Sequence, residues 1–262
     1  MAKTKSNVKT ALAKREKSGG ALAQWQKDLA EEANADAAKF QQGISRISFQ
    51  GSTITVDGKD CGREMSVMIA DAIFGKAYYE KAFKAGSGQT PSCYAFHPDD
   101  NSNMTPHEAC PGKQHDTCTG CQHNRFGTAV NSDGEKGDGK RCKDEVRIMC
   151  AVGETDEDSI LAAEWRMATI PPGSLKNWGT YLKKLRDMGK SFRAVLTEIK
   201  VVPFKGAYKL EFTATDDLSE SGYLAIKAKR ESAKEEMMQP YPVLSTDEDE
   251  KPAKRKSVKG QR

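Results

Sequence analysis

The ten residues from 118 to 127, CTGCQHNRFG, combine two cysteines with a histidine, an arginine and a phenylalanine. A C-x2-C turn of this kind presents two thiolates to one metal ion from a short segment of chain. Five of the seven cysteines and all four histidines of the chain fall between residues 93 and 142. This clustering predicts a metal site, because zinc prefers four cysteine or histidine ligands in a tetrahedron.

Four cysteines form the predicted zinc site: Cys93, Cys118, Cys121 and Cys142. Cys93 and Cys142 stand where the segment leaves and rejoins strand-like sequence, so one ion would tie both ends to the C-x2-C turn. The segment between them is rich in Gly, Asp, Asn, Ser and Lys, and a structureless loop of this length is uncommon in a compact domain. Metal binding can supply the folding free energy that an apolar core does not supply there.

Other interpretations of the same residues stay open. An outer ligand could be replaced, or a second ion bound, by a neighbouring group among Cys110, His107, His115 and His123. An iron–sulfur cluster also accepts four thiolates, and free thiols with surface imidazoles would need no metal. Cys61 and Cys150 lie in strand-like sequence and are interpreted as buried structural cysteines.

The metal is expected to be structural, and the protein is not expected to be an enzyme. A catalytic zinc needs an open position and a nearby base, and neither HExxH nor G-x-S-x-G occurs. The deaminase signature is incomplete because no proline precedes Cys118. The glycines of GEKGDGKRC do not form a phosphate loop, since no G-K-S/T follows.

Composition indicates a folded centre with solvated ends. The hydrophobic fraction is 37% and the mean hydropathy is −0.70. With no apolar stretch of membrane-spanning length and no signal-peptide core, we expect a cytoplasmic protein that does not contact membranes. The net charge is only +4, but the first twenty residues are basic and acidic residues 245–250 precede a basic C-terminus. The predicted organisation is a basic arm and amphipathic helix (1–43), a core (44–215), a helix (216–240) and a charged flexible tail (241–262).

The order of predicted elements favours an α+β fold. A helix, three strands, a loop-like insertion, two strands, a helix, a hairpin and a final helix follow one another, which suits an antiparallel sheet or small barrel with peripheral helices. A five-stranded oligonucleotide-binding (OB) barrel is one form of this arrangement. Hydrophobic patterns and turn signals predict strands at 44–50, 52–57, 63–74, 145–152 and 164–170, helices at 174–189 and 218–238, and a hairpin at 193–215.

Several motifs resemble those of phage-encoded single-stranded DNA-binding proteins. They are TPSCYAFHPDD, CTGCQHNRFGTAV, GEKGDGKRC, IPPGSLKNWGTYLKKLRDMG and VLTEIKVV with YKLEF, which together cover about residues 50–215. The resemblance implies an OB-like sheet with an inserted zinc-knuckle subdomain (93–142), the same four cysteine ligands, and a role in phage DNA replication or recombination in the host cytoplasm. The chain departs from the pattern in its histidine-rich stretch, in Cys110, in its long N-terminal helix and in its basic C-terminus.

Binding of single strands without sequence specificity needs a basic groove and aromatic faces, on which each stacked base gains roughly 1–3 kcal/mol. Aromatic and basic residues interleave before the insertion, on the C-x2-C turn and at the insertion's end. The predicted contacts are Lys76, Tyr78, Tyr79, Phe83, Lys84, Arg125, Phe126, Lys140 and Arg141. Taken singly, each of these aromatics also fits a core position and each lysine a solvated face.

A second hypothesis explains the same features without DNA. The knuckle could dock a host or phage protein, as an interaction or regulatory module, which would suit the modest net charge. The charged C-terminal tail could likewise recruit replication or recombination proteins. Salt separates the two hypotheses, because binding to a phosphate backbone weakens steeply as salt rises.

Overall fold

The computed structural model describes five stretches of the chain, residues 46–49, 51–80, 89–130, 134–153 and 163–241. The predicted N-terminal arm and helix, the tail beyond residue 241, Phe83 and Lys84 lie outside these residues. Within the described stretches, no helix has the length and apolarity needed to cross a membrane.

The described residues form a mixed α+β structure with a curled, half-barrel-like sheet and two helices. The helices are α1 (Leu175–Asp187) and α2 (Glu220–Met237). The strands are β1 (Arg46–Ser48), β2 (Thr55–Val56), β3 (Lys59–Asp60), β4 (Glu64–Tyr78), β5 (Cys93–His97), β6 (Ala129–Val130), β7 (Lys136–Gly137), β8 (Lys143–Val152), β9 (Arg166–Ile170), β10 (Val195–Phe204) and β11 (Ala207–Asp217).

The main sheet has nine strands in the order β11-β10-β4-β8-β9-β1-β2-β3, and β5 also pairs with β4. The predicted antiparallel pairing is confirmed for every described pair except β1 with β9, which is parallel. Register shifts interrupt the β4–β8 ladder near Ile69 and the β10–β11 ladder near Leu196. Such bulges increase local twist and bend a strand, which is consistent with the curl of this sheet.

Strand β4 is longer than predicted and organises the molecule. It pairs with β10 at its start, with β8 along most of its length and with β5 at its end. The prediction ended the strand at Phe74, whereas the structure continues it to Tyr78. Its last residues are buried because β5 and β8 flank them on both edges, and Tyr78 pairs with Cys93.

Helix α1 covers one face of the sheet, as its apolar stripe predicts. Trp178, Tyr181 and Leu185 are buried in the main hydrophobic core. Ser174 precedes the helix, but its hydroxyl does not cap it. The Oγ atom instead accepts a hydrogen bond from the backbone N–H of Leu210 in β11, at 2.9 Å. The hydroxyl therefore ties the start of α1 to the sheet.

Replacing Ser174 by alanine is expected to lower the free energy of unfolding by about 1–3 kcal/mol, because the buried N–H of Leu210 loses its acceptor. Thr180→Ala is the matched control, since that exposed hydroxyl only donates to Lys176 O within the same helix. Urea denaturation followed by circular dichroism measures both. Equal midpoints for the two variants would contradict this role of Ser174.

Helix α2 lies on the opposite face of the sheet. Ile148 belongs to the core beneath α1, while its neighbour Arg147 contacts the end of α2, and successive strand residues point to opposite faces. The helix begins as predicted, because the Ser219 hydroxyl accepts from the N–H of Gly222. Both faces of the long strands are thus covered.

The two remaining cysteines differ in their surroundings. Cys150 is buried in the core, as predicted, and burial raises the pKa of its thiol to about 12. The prediction that Cys61 is buried is wrong, because it is exposed. It follows β3, an exposed strand at the end of the sheet, so no neighbouring strand covers it.

Candidate metal centre and surrounding surface

The four predicted ligands meet at one place. Cys93 opens β5 and Cys142 directly precedes β8, while Cys118 and Cys121 lie on the turn between them. All four are buried and together line a cavity of about 20 Å³. A cavity needs roughly 10–15 Å³ to hold a single water molecule, so this one has room for one small occupant.

Backbone hydrogen bonds hold the C-x2-C turn against the strand ends. The N–H of Cys142 donates to His123 O at 2.8 Å, and the N–H of Cys118 donates to Met104 O at 2.9 Å. The side-chain amide of Asn124 donates to Cys118 O at 2.9 Å. These hydrogen bonds position the turn against the strand ends.

The four thiols line one cavity, but they are not arranged as a complete set of metal ligands. The described part of the chain contains no group of three or more His, Cys, Asp or Glu side chains arranged to hold a metal ion. The four cysteines nevertheless line one cavity, and a four-thiol set is what zinc accepts at structural sites. The cavity brings together residues up to 49 positions apart in the chain.

Burial disfavours the thiolate form of Cys118 and Cys142. It raises the pKa of Cys118 to about 11 and that of Cys142 to about 12, and the neighbouring cysteines add to the effect. A divalent cation reverses this preference, because a coordinating thiol loses its proton.

Cys110 lies beside Cys93, and its thiol interacts with the Cys93 thiol as well as with the backbone of Tyr94. Its thiol donates to Tyr94 O and accepts from the Tyr94 N–H, both at 3.1 Å. It does not line the cavity that the other four share.

The nearby histidines are held by ring stacking and local hydrogen bonds. His107 stacks on Tyr94 with ring centroids 5.3 Å apart, and His123 stacks on Tyr78 at 4.5 Å. His115 lines the cavity, but its Nδ1 atom accepts from the N–H of Thr117 at 3.2 Å. Of these three histidines, His115 is the one that lines the cavity.

Lys76 lies inside the molecule. Its side chain is only 4% exposed, and its ammonium pairs with Asp144 and donates to Asn101 Oδ1 at 2.9 Å. Lys140 donates to the other oxygen of Asp144 at 2.8 Å. These hydrogen bonds lower the pKa of Asp144 despite its partial burial, which raises it. The charge of Lys76 is therefore neutralised within the fold.

Tyr78 and Arg141 also bind the insertion to the sheet. The Tyr78 ring is buried, stacks on His123 and lies 5.4 Å from the guanidinium of Arg141. Arg141 donates to Glu80 O at 2.8 Å. Tyr79 follows on the same strand end, beside Glu145, and burial raises the pKa of its phenol.

The outer side of the C-x2-C turn carries exposed aromatic and basic side chains. Phe126 is 79% exposed, and Lys140 Nζ lies 5.2 Å from the centroid of its ring. Arg125 is exposed beside it. We call Arg125, Phe126 and Lys140 the knuckle surface. Of the nine predicted contact residues, these three combine an exposed aromatic face with cationic neighbours.

A second exposed aromatic group was missed from the sequence. It lies at the turn of the β10–β11 hairpin, where Phe204 and Tyr208 are about two-fifths exposed, and Lys209 Nζ lies 3.2 Å from the Phe204 ring centroid. Aromatic and basic residues interleave in PFKGAYK, a signal that the hairpin prediction treated only as a turn. Lys200 pairs with Glu64 at the start of β4, so this group lies at the opposite end of that strand from Tyr78.

The features that carry chemistry are therefore a four-thiol cavity at one end of β4 and a cationic, aromatic surface on the turn above it. Their residues belong to the motifs TPSCYAFHPDD, CTGCQHNRFGTAV and GEKGDGKRC. A comparison of the whole chain with protein-family models, with curated proteins and with solved structures finds no match.

Proposed function

We propose that this protein binds single-stranded DNA without sequence specificity, through an OB-like half-barrel that carries a structural zinc knuckle. The observation that carries the proposal is Phe126, whose ring is 79% exposed with Lys140 beside it. A large apolar ring in water stabilises nothing by itself, whereas nucleobases stack on such rings whatever their sequence. The expected role is to coat exposed strands during phage DNA replication or recombination.

Zinc would be held by Cys93, Cys118, Cys121 and Cys142, the residues that line the small cavity. Four sulfur donors suit a closed structural site, and the metal would contribute folding free energy. The chain itself supplies the remaining order through the backbone hydrogen bonds of Cys118 and Cys142. An iron–sulfur cluster on the same donors would be recognised by its visible absorption and iron content.

Electrostatics on the knuckle surface agrees with a phosphate partner. Arg125 is exposed, and Lys140 keeps a fifth of its side chain exposed although it pairs with Asp144. Cations that neutralise phosphates release counterions, so the affinity should fall with increasing salt. The stacked base and the phosphate contacts would together position the strand.

Replacing Phe126 by alanine is expected to weaken binding of a fluorescein-labelled oligo-dT about 5- to 150-fold, the equivalent of one stacked base at roughly 1–3 kcal/mol. The fold should be unaffected, because the ring is exposed. Fluorescence anisotropy at two salt concentrations measures the affinity. Tyr223→Ala on α2 is the matched control, since Tyr223 is also exposed and lies on the far face of the sheet.

Three outcomes decide the proposal. Weaker binding for Phe126→Ala alone, together with a loss of affinity at high salt, supports it. Equal weakening of both variants would place the contact elsewhere. Absence of salt-dependent binding by the unaltered protein would contradict DNA binding and favour the alternative function, in which the exposed ring of Phe126 docks a protein partner.

A further inference from the structure

A second cavity lies on the same face of the sheet as helix α1, and nothing above assigns it a role. Its volume is about 370 Å³. Phe74 of β4 and Val146 of β8 form its floor, Trp178 and Leu182 of α1 form one wall, and Phe192 closes one side. We call it the α1 cleft. Pockets for small ligands span about 300–1,000 Å³, so the cleft suits a group of nucleotide size.

We propose that the α1 cleft receives one unstacked base of the bound strand. This inference rests on the proposed function and names a subsite for it. Three aromatic side chains line the cleft, and Phe74 among them is 36% exposed. Trp178 and Phe192 lie 5.6 Å apart, and the Arg193 guanidinium lies 4.3 Å from the Phe192 ring. Aromatic and guanidinium faces are the surfaces on which bases stack.

Two hydrogen-bond acceptors of the cleft lie toward the knuckle end. Asn101 and Asp144 contribute to the lining there, so the cleft offers an amide and a carboxylate beside its apolar walls. Each oxygen of Asp144 already accepts from a lysine, and a carboxylate oxygen can accept a further hydrogen bond. A planar ring with N–H groups on its edge matches this combination, because it can stack on the apolar walls and donate to Asp144.

The cleft and the knuckle surface share a boundary. Lys140 Nζ lies 5.2 Å from the ring of Phe126 and 2.8 Å from Asp144 Oδ2, and Asp144 lines the cleft. A strand with one base on Phe126 would therefore pass Lys140 and reach the cleft with a nearby nucleotide. The phosphates of the strand would stay outside the cleft, near Lys140.

The test is a variant whose new side chain fills the cleft without disturbing the fold. Gly179 lines the cleft from helix α1, and a Cβ atom added there meets nothing within 4 Å. Leucine also has a higher helix propensity than glycine. We expect Gly179→Leu to weaken oligo-dT binding at least about tenfold, the loss of roughly one stacked base, without a lower melting temperature. Gly173→Leu is the matched control, because its Cβ also meets open space and Gly173 does not line the cleft.

Phe74→Ala is a second variant that empties the cleft instead of filling it, and it should weaken binding to a similar extent. The proposal is supported if both cleft variants bind less tightly than Gly173→Leu. If they bind as the unaltered protein does, the cleft assignment is overturned while DNA binding stands. If the unaltered protein does not bind oligo-dT, the proposed function and the cleft assignment are both overturned.

Binding of free dTMP distinguishes a subsite for one base of a strand from a site for free nucleotides. Its binding is followed by intrinsic tryptophan fluorescence, since Trp178 lines the cleft. A subsite for one base of a strand should bind free dTMP at least about a hundredfold more weakly than the oligonucleotide, because the contacts of the neighbouring nucleotides with Phe126 and with the cations are lost. Equal affinities would overturn the assignment to a strand base and identify a site for free nucleotides.

Discussion

Replacing Cys118 or Cys121 by serine is expected to abolish stoichiometric zinc binding and to unfold residues 93–142. The cavity shared by the four cysteines would lose one thiolate, and the remaining three do not close a structural site. Structural zinc contributes about 10–16 kcal/mol of binding free energy in zinc-finger peptides, so this is the largest effect that we expect from one substitution. The segment has little apolar core to compensate, because its buried clusters contain only a few residues.

Elemental analysis of purified protein gives the metal content, and differential scanning calorimetry gives the melting profile. Cys61→Ser is the matched control, because this exposed thiol only contacts Lys59 O at 3.5 Å. Cys110→Ser should also retain zinc, since its thiol is bonded to the backbone of Tyr94. Full metal content and an unchanged melting curve for the Cys118 variant would show that the ligand assignment is wrong.

The elements that could be predicted are those with local signals. Helix α1 begins after Pro171 and Pro172 and ends before Gly189, and α2 has Ser219 at its N-cap. The β10–β11 hairpin follows from two alternating runs around a glycine turn, with a positive φ of 76° at Gly206. Prolines, helix caps and turn glycines act on residues close to them in sequence. The element boundaries predicted from them agree with the structure within a few residues.

The roles of Lys76 and Tyr78 could not be predicted in the same way. Both belong to GKAYY, where alternating aromatic and basic residues fit an exposed binding surface as well as a strand. Pairing of β4 with β5 and β8 decides between an exposed surface and a buried strand. It buries the end of β4 and brings Asp144 to Lys76. Tertiary contacts thus override the local pattern.

The two candidate sites also differ in how far the sequence predicts them. The four-cysteine cavity was predictable, because a C-x2-C turn and two flanking cysteines carry their own chemistry. The α1 cleft was not, since Phe74, Asp144, Trp178 and Phe192 come from four separate elements and have no common motif. Only the sheet topology brings them together.

Replacing Arg147 by alanine is expected to lower the free energy of unfolding by about 3–5 kcal/mol, the range for removing one partner from a buried charged network. Arg147 is fully buried in β8. Its Nη1 atom donates to Met237 O at 2.7 Å and to Gln239 O at 2.9 Å, which satisfies carbonyls at the end of α2. Its guanidinium lies 3.5 Å from the Phe96 ring centroid and 4.4 Å from that of Tyr241.

The substitution would also remove one of the two cations that act on Glu145, Arg147 and Arg46. Burial raises the pKa of Glu145, while the hydrogen bond from Tyr241 and the charge of Arg147 lower it. Arg147→Met retains much of the volume and should lose less stability, which separates packing from charge. Arg186→Ala is the exposed control, since surface ion pairs such as Arg186–Asp187 contribute about 0–1 kcal/mol. Chemical denaturation followed by circular dichroism ranks the variants, and an Arg147→Ala midpoint equal to that of Arg186→Ala would show that this buried guanidinium does not hold α2 on the sheet.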